Sequence, residues 1–299
     1  MQTATENTPT EAPSPEASAT MAAFNFVTEL TRELNKGTVD LPSFPDIAMK
    51  VKRVLEDDNA SSATVARVVS SEPGLASRVL KMANSAANSR GGAILDVPRA
   101  VGRLGHIAIR TLAVSFAMQN LMDSRSVAEL KTHLNDLWNH SVHVSAIARA
   151  LAQNCAGVDP DEAMFVGLIH DVGKLYILTK IESYPELFSD DDSINELLDT
   201  WHVAISQSIV ENWEFAQPLI DAVALHEDSD IAPSSNVGLP DVLCAANILS
   251  NQLENKTIAD FDFETCQPFR RVDLTPDSYA KIMEDSKEEI TAMMSALNG

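Results

Sequence analysis

Residues 161 to 181 read DEAMFVGLIHDVGKLYILTKI, a stretch in which apolar side chains occupy most of a helix circumference rather than one face. A helix apolar on all sides has no face to give to water, so the pattern predicts one helix at the centre of a bundle. The same stretch carries His170 and Asp171 side by side. An unpartnered carboxylate at such a position is costly, so both residues call for partners on neighbouring helices.

Candidates for those partners lie on both sides. Upstream, LNDLWNHSVHVSAIARALAQ predicts a long helix in a lobe that starts near Val127. Asp136 and His140 are four apart and share a face, and His140 also shares that face with Val144, Ile147 and Leu151. Downstream, INELLDTWHVAISQSIVENW, PLIDAVALHE and LPDVLCAANILSNQL predict three more helices, with His202 near the start of one and His226 near the end of another. The segment PDSYAKIMEDSKEEITAMMSALN predicts one amphipathic closing helix. Imidazole nitrogen and carboxylate oxygen suit divalent cations, so helices each contributing one or two such residues can build a metal cage. The same residues can instead form a buried polar network that fixes the packing, with His170 donating to a backbone carbonyl or to Asp171. Spacing leaves both readings open.

The preceding part of the chain predicts a second helical lobe. Residues 1 to 20 are rich in Thr, Pro, Ala and Glu and are expected to form a disordered tail. Helices follow in FNFVTELTREL, in LPSFPDIAMKVKRVLEDD with Ser43 before Pro45, in SSATVARVVSSEP, and in PGLASRVLKMANSAAN. VPRAVGRLG and HIAIRTLAVSFAMQNLMD predict two more, separated near Gly105. Asn84 and Ser85 read as a helix end that bonds local backbone, with Arg78 two turns earlier. The expected fold is all-α, with lobes at about 21 to 125 and 126 to 299.

Composition narrows the function classes. The formal charge of −21 repels nucleic acid, so direct nucleic-acid binding is not expected. Cys155, Cys244 and Cys266 are far apart and read as buried thiols. No apolar run approaches the roughly 18 residues of a membrane span, no signal-peptide order opens the chain, and the expected location is cytoplasmic. GxSxG, P-loop and GxGxxG patterns are absent. Residues 181 to 255 hold fifteen Asp/Glu and no Lys or Arg.

HDVGK, with His140 upstream in WNHS, resembles the HD superfamily of metal-dependent phosphohydrolases, whose metal is held by His, a His-Asp pair and a later Asp. From about Leu41 to Leu253 the chain is similar more specifically to the HD-related output domain, HDOD. The carrying residues are LPSFPDIAMKV, SSEPGLASRVLKMANSAANS and AVGRLGHIAIRTLA, then WNHS, GLIHDVGKL, WHVAISQSIVENW and AVALHE. EPGLASRVLKMANS discriminates best, because ordinary HD phosphohydrolases lack that lobe. The resemblance implies a two-lobed HDOD domain over 21 to 299, with an HD-like bundle as its second lobe. It also implies a divalent metal (Mn, Fe or Mg) on His140, His170 and Asp171, with Asp136, His202, His226 and Asn247 as an extended set. Asn247 stands where the family has its last Asp, which lowers the expected affinity. Against the HD-GYP cyclic dinucleotide phosphodiesterases, Asp136, Lys174, His202 and His226 stand at similar places. Glu227, however, replaces the second His of a pair, and no GYP follows HDVGK.

The resemblance therefore implies a bacterial signal-transduction module that acts through contacts with a signalling protein partner. It is expected to be non-catalytic, with a degenerate metal site and no catalytic residue. The alternative is a metal-dependent phosphohydrolase of a nucleotide or cyclic dinucleotide, with Asp171 and Lys174 catalytic. A sensor that binds a metal or a nucleotide effector without turnover is a third reading. Phosphodiester hydrolysis needs positive charge on the developing phosphate. That burden would fall on Lys174 and the metal, with Arg149 a further candidate.

Overall fold

The structure is a computed structural model that describes residues 15–36, 46–57, 61–85, 92–123, 128–230, 236–253 and 262–298. Its described residues form helices and no strand, as the apolar periodicity predicts. The first lobe contains α2 (Asp46–Leu55), α3 (Ser62–Ser70), α4 (Pro73–Ala83) and α5 (Val97–Asp123). The Ser61 hydroxyl caps α3 by accepting from Thr64 N, and Pro73 opens α4 where its missing N–H costs nothing. α5 bends at Gly105, whose φ of 78° favours glycine, so the expected separation there is a kink in one long element. α2, α3 and α4 pack along α5 and fully bury Val51, Val65, Leu75, Val79 and Ile109, each contributing about 1.5–3 kcal/mol. Asn84 has the local role expected of it: its amide donates to the Leu80 and Ile94 carbonyls and accepts from Ile94 N at 2.7 Å. Ser43 and Pro45 lie outside the described residues.

Two expectations about the N-terminus change. α1 (Pro15–Lys36) begins inside the stretch expected to be disordered, of which residues 1–14 lie outside the described residues. It packs on the 3-10 turn Pro185–Ser189 and on α9 (Asp191–Asn212) of the second lobe, although it precedes the first in sequence. Burial of Ala22, Phe26 and Leu30 offsets the entropy of ordering it. Glu33 accepts from the Tyr176 hydroxyl at 2.8 Å, and Glu29 from Tyr184 at 2.7 Å.

The second lobe continues with α6 (Lys131–Ala152), α7 (Pro160–Ile169), α8 (Val172–Ile181), α10 (Gln217–Ala224) and α11 (Leu239–Leu253). α12 (Gln267–Arg271), α13 (Pro276–Asp285) and α14 (Lys287–Asn298) follow. α7 and α11 pack on α6, and α9 packs between α8 and α10. The closing segment is thus two helices joined at Ser286 rather than one. α14 ties the lobes together, because its last carbonyls are claimed by the first lobe. Leu297 O accepts from Arg78 Nη1 at 2.8 Å and Ser115 Oγ at 2.9 Å, and Ser295 O accepts from Lys81 Nζ at 3.0 Å. Cys244 is buried, Cys155 and Cys266 are half-buried, and burial pushes the Cys244 thiol up to about 12. No helix among the described residues is long and apolar enough to cross a membrane.

Candidate metal centre

The stretch expected to be one central helix is two. α7 ends at Ile169 and α8 starts at Val172, with Asp171 at φ −99°, ψ 20° between them. The flanking glycines show why α7 and α8 can lie so close to their neighbours. A Cβ on Gly167 would lie 2.7 Å from Ser145 Cα on α6, and one on Gly173 would lie 2.3 Å from His202 O on α9. Only glycine lets α7 approach α6, and α8 approach α9, this closely. The Gly173 N–H also donates to the buried Ser206 Oγ at 2.9 Å. His170 and Asp171 are therefore held at the crossing point of several helices.

Around the buried Asp171 carboxylate stand two sets of nitrogen atoms. On the Oδ2 side, His170 Nε2 lies at 3.3 Å, His140 Nε2 at 3.6 Å and Lys174 Nζ at 2.8 Å. On the Oδ1 side, His226 Nε2 lies at 3.4 Å and His202 Nε2 at 3.6 Å. The structure thus brings His140, His170, Asp171, His202 and His226 together, in two groups that share Asp171 and that can each hold a metal ion.

The tautomers are set from outside the cluster. His170 Nδ1 bonds Gly167 O at 2.8 Å, His202 Nδ1 bonds Leu198 O at 2.8 Å, and His226 Nδ1 bonds Val223 O at 2.7 Å. A carbonyl can only accept, so each Nδ1 carries the proton and each Nε2 turns a lone pair inward. Ser250 Oγ meets His140 Nδ1 at 3.3 Å. Asp171 Oδ1, His202 Nε2 and His226 Nε2 are buried with no hydrogen-bond partner. Three acceptors facing one another without a donor are unfavourable unless a cation lies among them.

The set on the Oδ2 side passes a simple fit test. The edges His140–His170, His170–Asp171 and His140–Asp171 of 3.3, 3.3 and 3.6 Å define a point about 2.0 Å from all three atoms, the length of a metal bond to imidazole or carboxylate.

Glu227, expected only as the replacement of a second His, faces the cluster. Its Oε1 approaches His202 Nε2 to 3.6 Å and His226 Nε2 to 3.7 Å, and Asn247 Nδ2 donates to it at 3.0 Å. Asn247 is buried, accepts from Asn251 at 3.3 Å and contacts His140. A carboxylate is thus present on the side where Asn247 supplies none, and Asn247 aims it. Spacing could not reveal this, because Glu227 and Asn247 lie on different elements. Asp136 stays beside the cluster and Arg149 does not. Asp136 is exposed and lines, with His140, Asp171, Lys174 and Asp199, a cavity of about 360 Å³. Arg149 pairs with Asp161 at 3.1 Å and with Glu289, at the far end of α6.

Burial, reinforced by His170, lowers His140 to about 3, and burial also lowers His170. Burial by itself would raise Asp171, but His170 and the Lys174 ammonium outweigh it and hold the carboxyl well below its usual range. Burial likewise opposes ionisation of Glu227, yet the close approach of His202 and His226 and the hydrogen bond from Asn247 bring it to about 2. A histidine with a depressed folded pKa binds its proton more readily in the unfolded chain. Stability of the metal-stripped protein should therefore fall as pH drops from about 6.5 towards 3, by up to about 1.4 kcal/mol per pH unit for each such histidine. Urea unfolding between pH 7 and 5 checks this, and His140→Gln should flatten the slope.

Residues 41–229 match the family model of the HDOD domain. An uncharacterized protein of Treponema pallidum (strain Nichols) is 22% identical over 282 residues; these cover 89% of this chain and 51% of the relative, so the chain spans about half its length. A protein of Shewanella amazonensis SB2B, provisionally named a metal-dependent phosphohydrolase, has a similar fold. Its TM-score is 0.73 at 24% identity, covering 93% of this chain and 99% of the other. A provisionally named signal transduction protein of Marinobacter aquaeolei VT8 is similar at TM-score 0.61 and 18% identity, covering 93% of this chain and 66% of that one.

Proposed function

Because the chain belongs to the HDOD domain family, we propose that it is a metal-holding regulatory module of signal transduction that works through protein contacts rather than turnover. His140, His170 and Asp171 would hold one divalent ion (Mn, Fe or Mg). His202, His226 and Glu227, sharing Asp171, would hold a second. A bound ion would supply Lewis acidity and positive charge in a buried site. The chain's own residues orient the imidazoles through Gly167, Leu198 and Val223 carbonyls and keep Asp171 ionised through Lys174.

One observation carries the non-catalytic side of this reading. Lys174, the lysine that lines the cluster's cavity, is spent on Asp171, while the exposed Asp136 and Asp199 line the same cavity. Such a lining repels a phosphate ester instead of gripping it. A provisionally named signal transduction protein among the similar folds agrees with the signalling role.

Hydrolysis of a phosphodiester is the second reading, favoured by the two ligand groups that share one carboxylate. Metal analysis of the purified protein, followed by assays of cyclic dinucleotide hydrolysis with Mn, Fe and Mg, separates the two. Stoichiometric metal without turnover is the expected result. Turnover that disappears in His170→Ala would replace the regulatory reading with the enzymatic one.

A further inference from the structure

We propose that the junction of the two lobes is a separate binding site, for a small organic anion that combines a single carboxylate with an apolar body. A cavity of about 430 Å³ opens there, within the usual size of small-molecule sites. α2 and α5 supply one wall, and α7 with the α9–α10 connection supplies the other, so an occupant would touch both lobes. Leu55, Ile107, Phe215 and Leu219 make part of the lining apolar.

Arg110 points to the charge of the ligand. Its guanidinium lies 4.0 Å over the Phe165 ring and 5.9 Å from that of Phe215, while its Nε and Nη2 are buried and have no hydrogen-bond partner. These two nitrogens form the edge that matches a carboxylate in bidentate fashion. Natural structures seldom leave such donors unpaired, and a buried cation without an acceptor is unfavourable. In the bound state this edge would face the cavity. Lys52, the other buried cation of the lining, is already paired with Glu56 at 2.7 Å.

The opposite wall limits the ligand to one negative charge. Glu162 and Glu214 line it, Glu56 lines the side of Arg110, and all three repel phosphate dianions or polyphosphates; Glu162 and Glu56 also act on Arg110 electrostatically without hydrogen-bonding its free edge. Glu214 adopts a φ of 56°, a conformation L-residues seldom hold. That turn passes directly into Phe215, which packs edge-on against Phe165 at 5.3 Å. Strain of this kind clusters at binding sites. The apolar lining, the unpaired Arg110 edge and the acidic far wall together select an amphipathic monocarboxylate.

Isothermal titration of the full chain with benzoate and octanoate, against benzamide, octanamide and inorganic phosphate, tests this. At least one carboxylate is expected to saturate below about 10 mM, with its amide and phosphate at least about tenfold weaker. Arg110→Met should weaken carboxylate binding at least about tenfold, while melting no lower than the parent when no ligand is present. Ala216→Phe, on the exposed wall away from Arg110, should block binding with the fold intact. Failure of both carboxylates to saturate, equal binding of the amides, or a lowered melting temperature for Arg110→Met would each overturn the proposal. The last result would make the guanidinium a packing element.

Discussion

Asp171→Asn is expected to abolish divalent-metal binding while leaving the metal-free protein folded. Both oxygens of Asp171 are shared, Oδ2 with His140 and His170 and Oδ1 with His202 and His226. Asparagine keeps the shape but removes the charge, and turns an N–H donor towards one of the two sets. Loss of outer partners of metal ligands already weakens binding by about 10–100-fold, so loss of the shared carboxylate should exceed about 100-fold. The same amide hydrogen can donate to a buried Nε2 that has no partner, such as that of His202 or His226. Stability of the metal-free variant should therefore stay within about 1.5 kcal/mol of the parent. Metal content by plasma emission and unfolding in urea read the two effects separately. Retained stoichiometric metal would sink the shared-ligand arrangement, and a collapse in stability with normal metal content would make Asp171 a packing residue.

Gly173→Ala should produce the largest loss of stability from a single methyl group. Replacing glycine by alanine inside an exposed helix normally stabilises by up to about 1 kcal/mol. Here the added Cβ would sit 2.3 Å from His202 O, 2.7 Å from Ser206 N and 2.8 Å from Ser206 Oγ. Two of these atoms are backbone of α9, so the helix itself must shift. Overpacking of this type costs about 1–3 kcal/mol and sometimes more, and we expect at least about 3 because the hydrogen bond to Ser206 Oγ is strained as well. The shift would move His202, so metal affinity should fall together with stability. Gly102→Ala is the control, since a Cβ there meets nothing within 4 Å and should stabilise by about 0.5–1 kcal/mol. Equal stability of Gly173→Ala and the parent would show that α8 and α9 do not require this approach.

Much of the site was legible before any fold was known. His170 and Asp171 in an apolar helix, with His140, His202 and His226 on the faces of other helices, already define a polar cluster in a bundle interior. The cluster is real, and all five side chains meet around one carboxylate. Glu227 was legible only as a departure from a family pattern, yet its carboxylate lies beside His202 and His226. Arg149, nine residues beyond His140 on α6, is spent on Asp161 and Glu289 instead.

Periodicity of apolar residues is a local property, and it determined the all-α class, most helix positions and the polar residues that must be buried. It reports which face of a helix is apolar but not which helix covers that face. The close approaches of Gly167 to α6 and of Gly173 to α9, on either side of the break at His170–Asp171, are both long-range. The seat of α1 on the second lobe depended on Phe26 and Leu30 finding a surface more than a hundred residues away. Only tertiary packing put Asn247 behind Glu227, left Arg110 stacked on Phe165 without an acceptor, and turned separate histidines into two groups around Asp171.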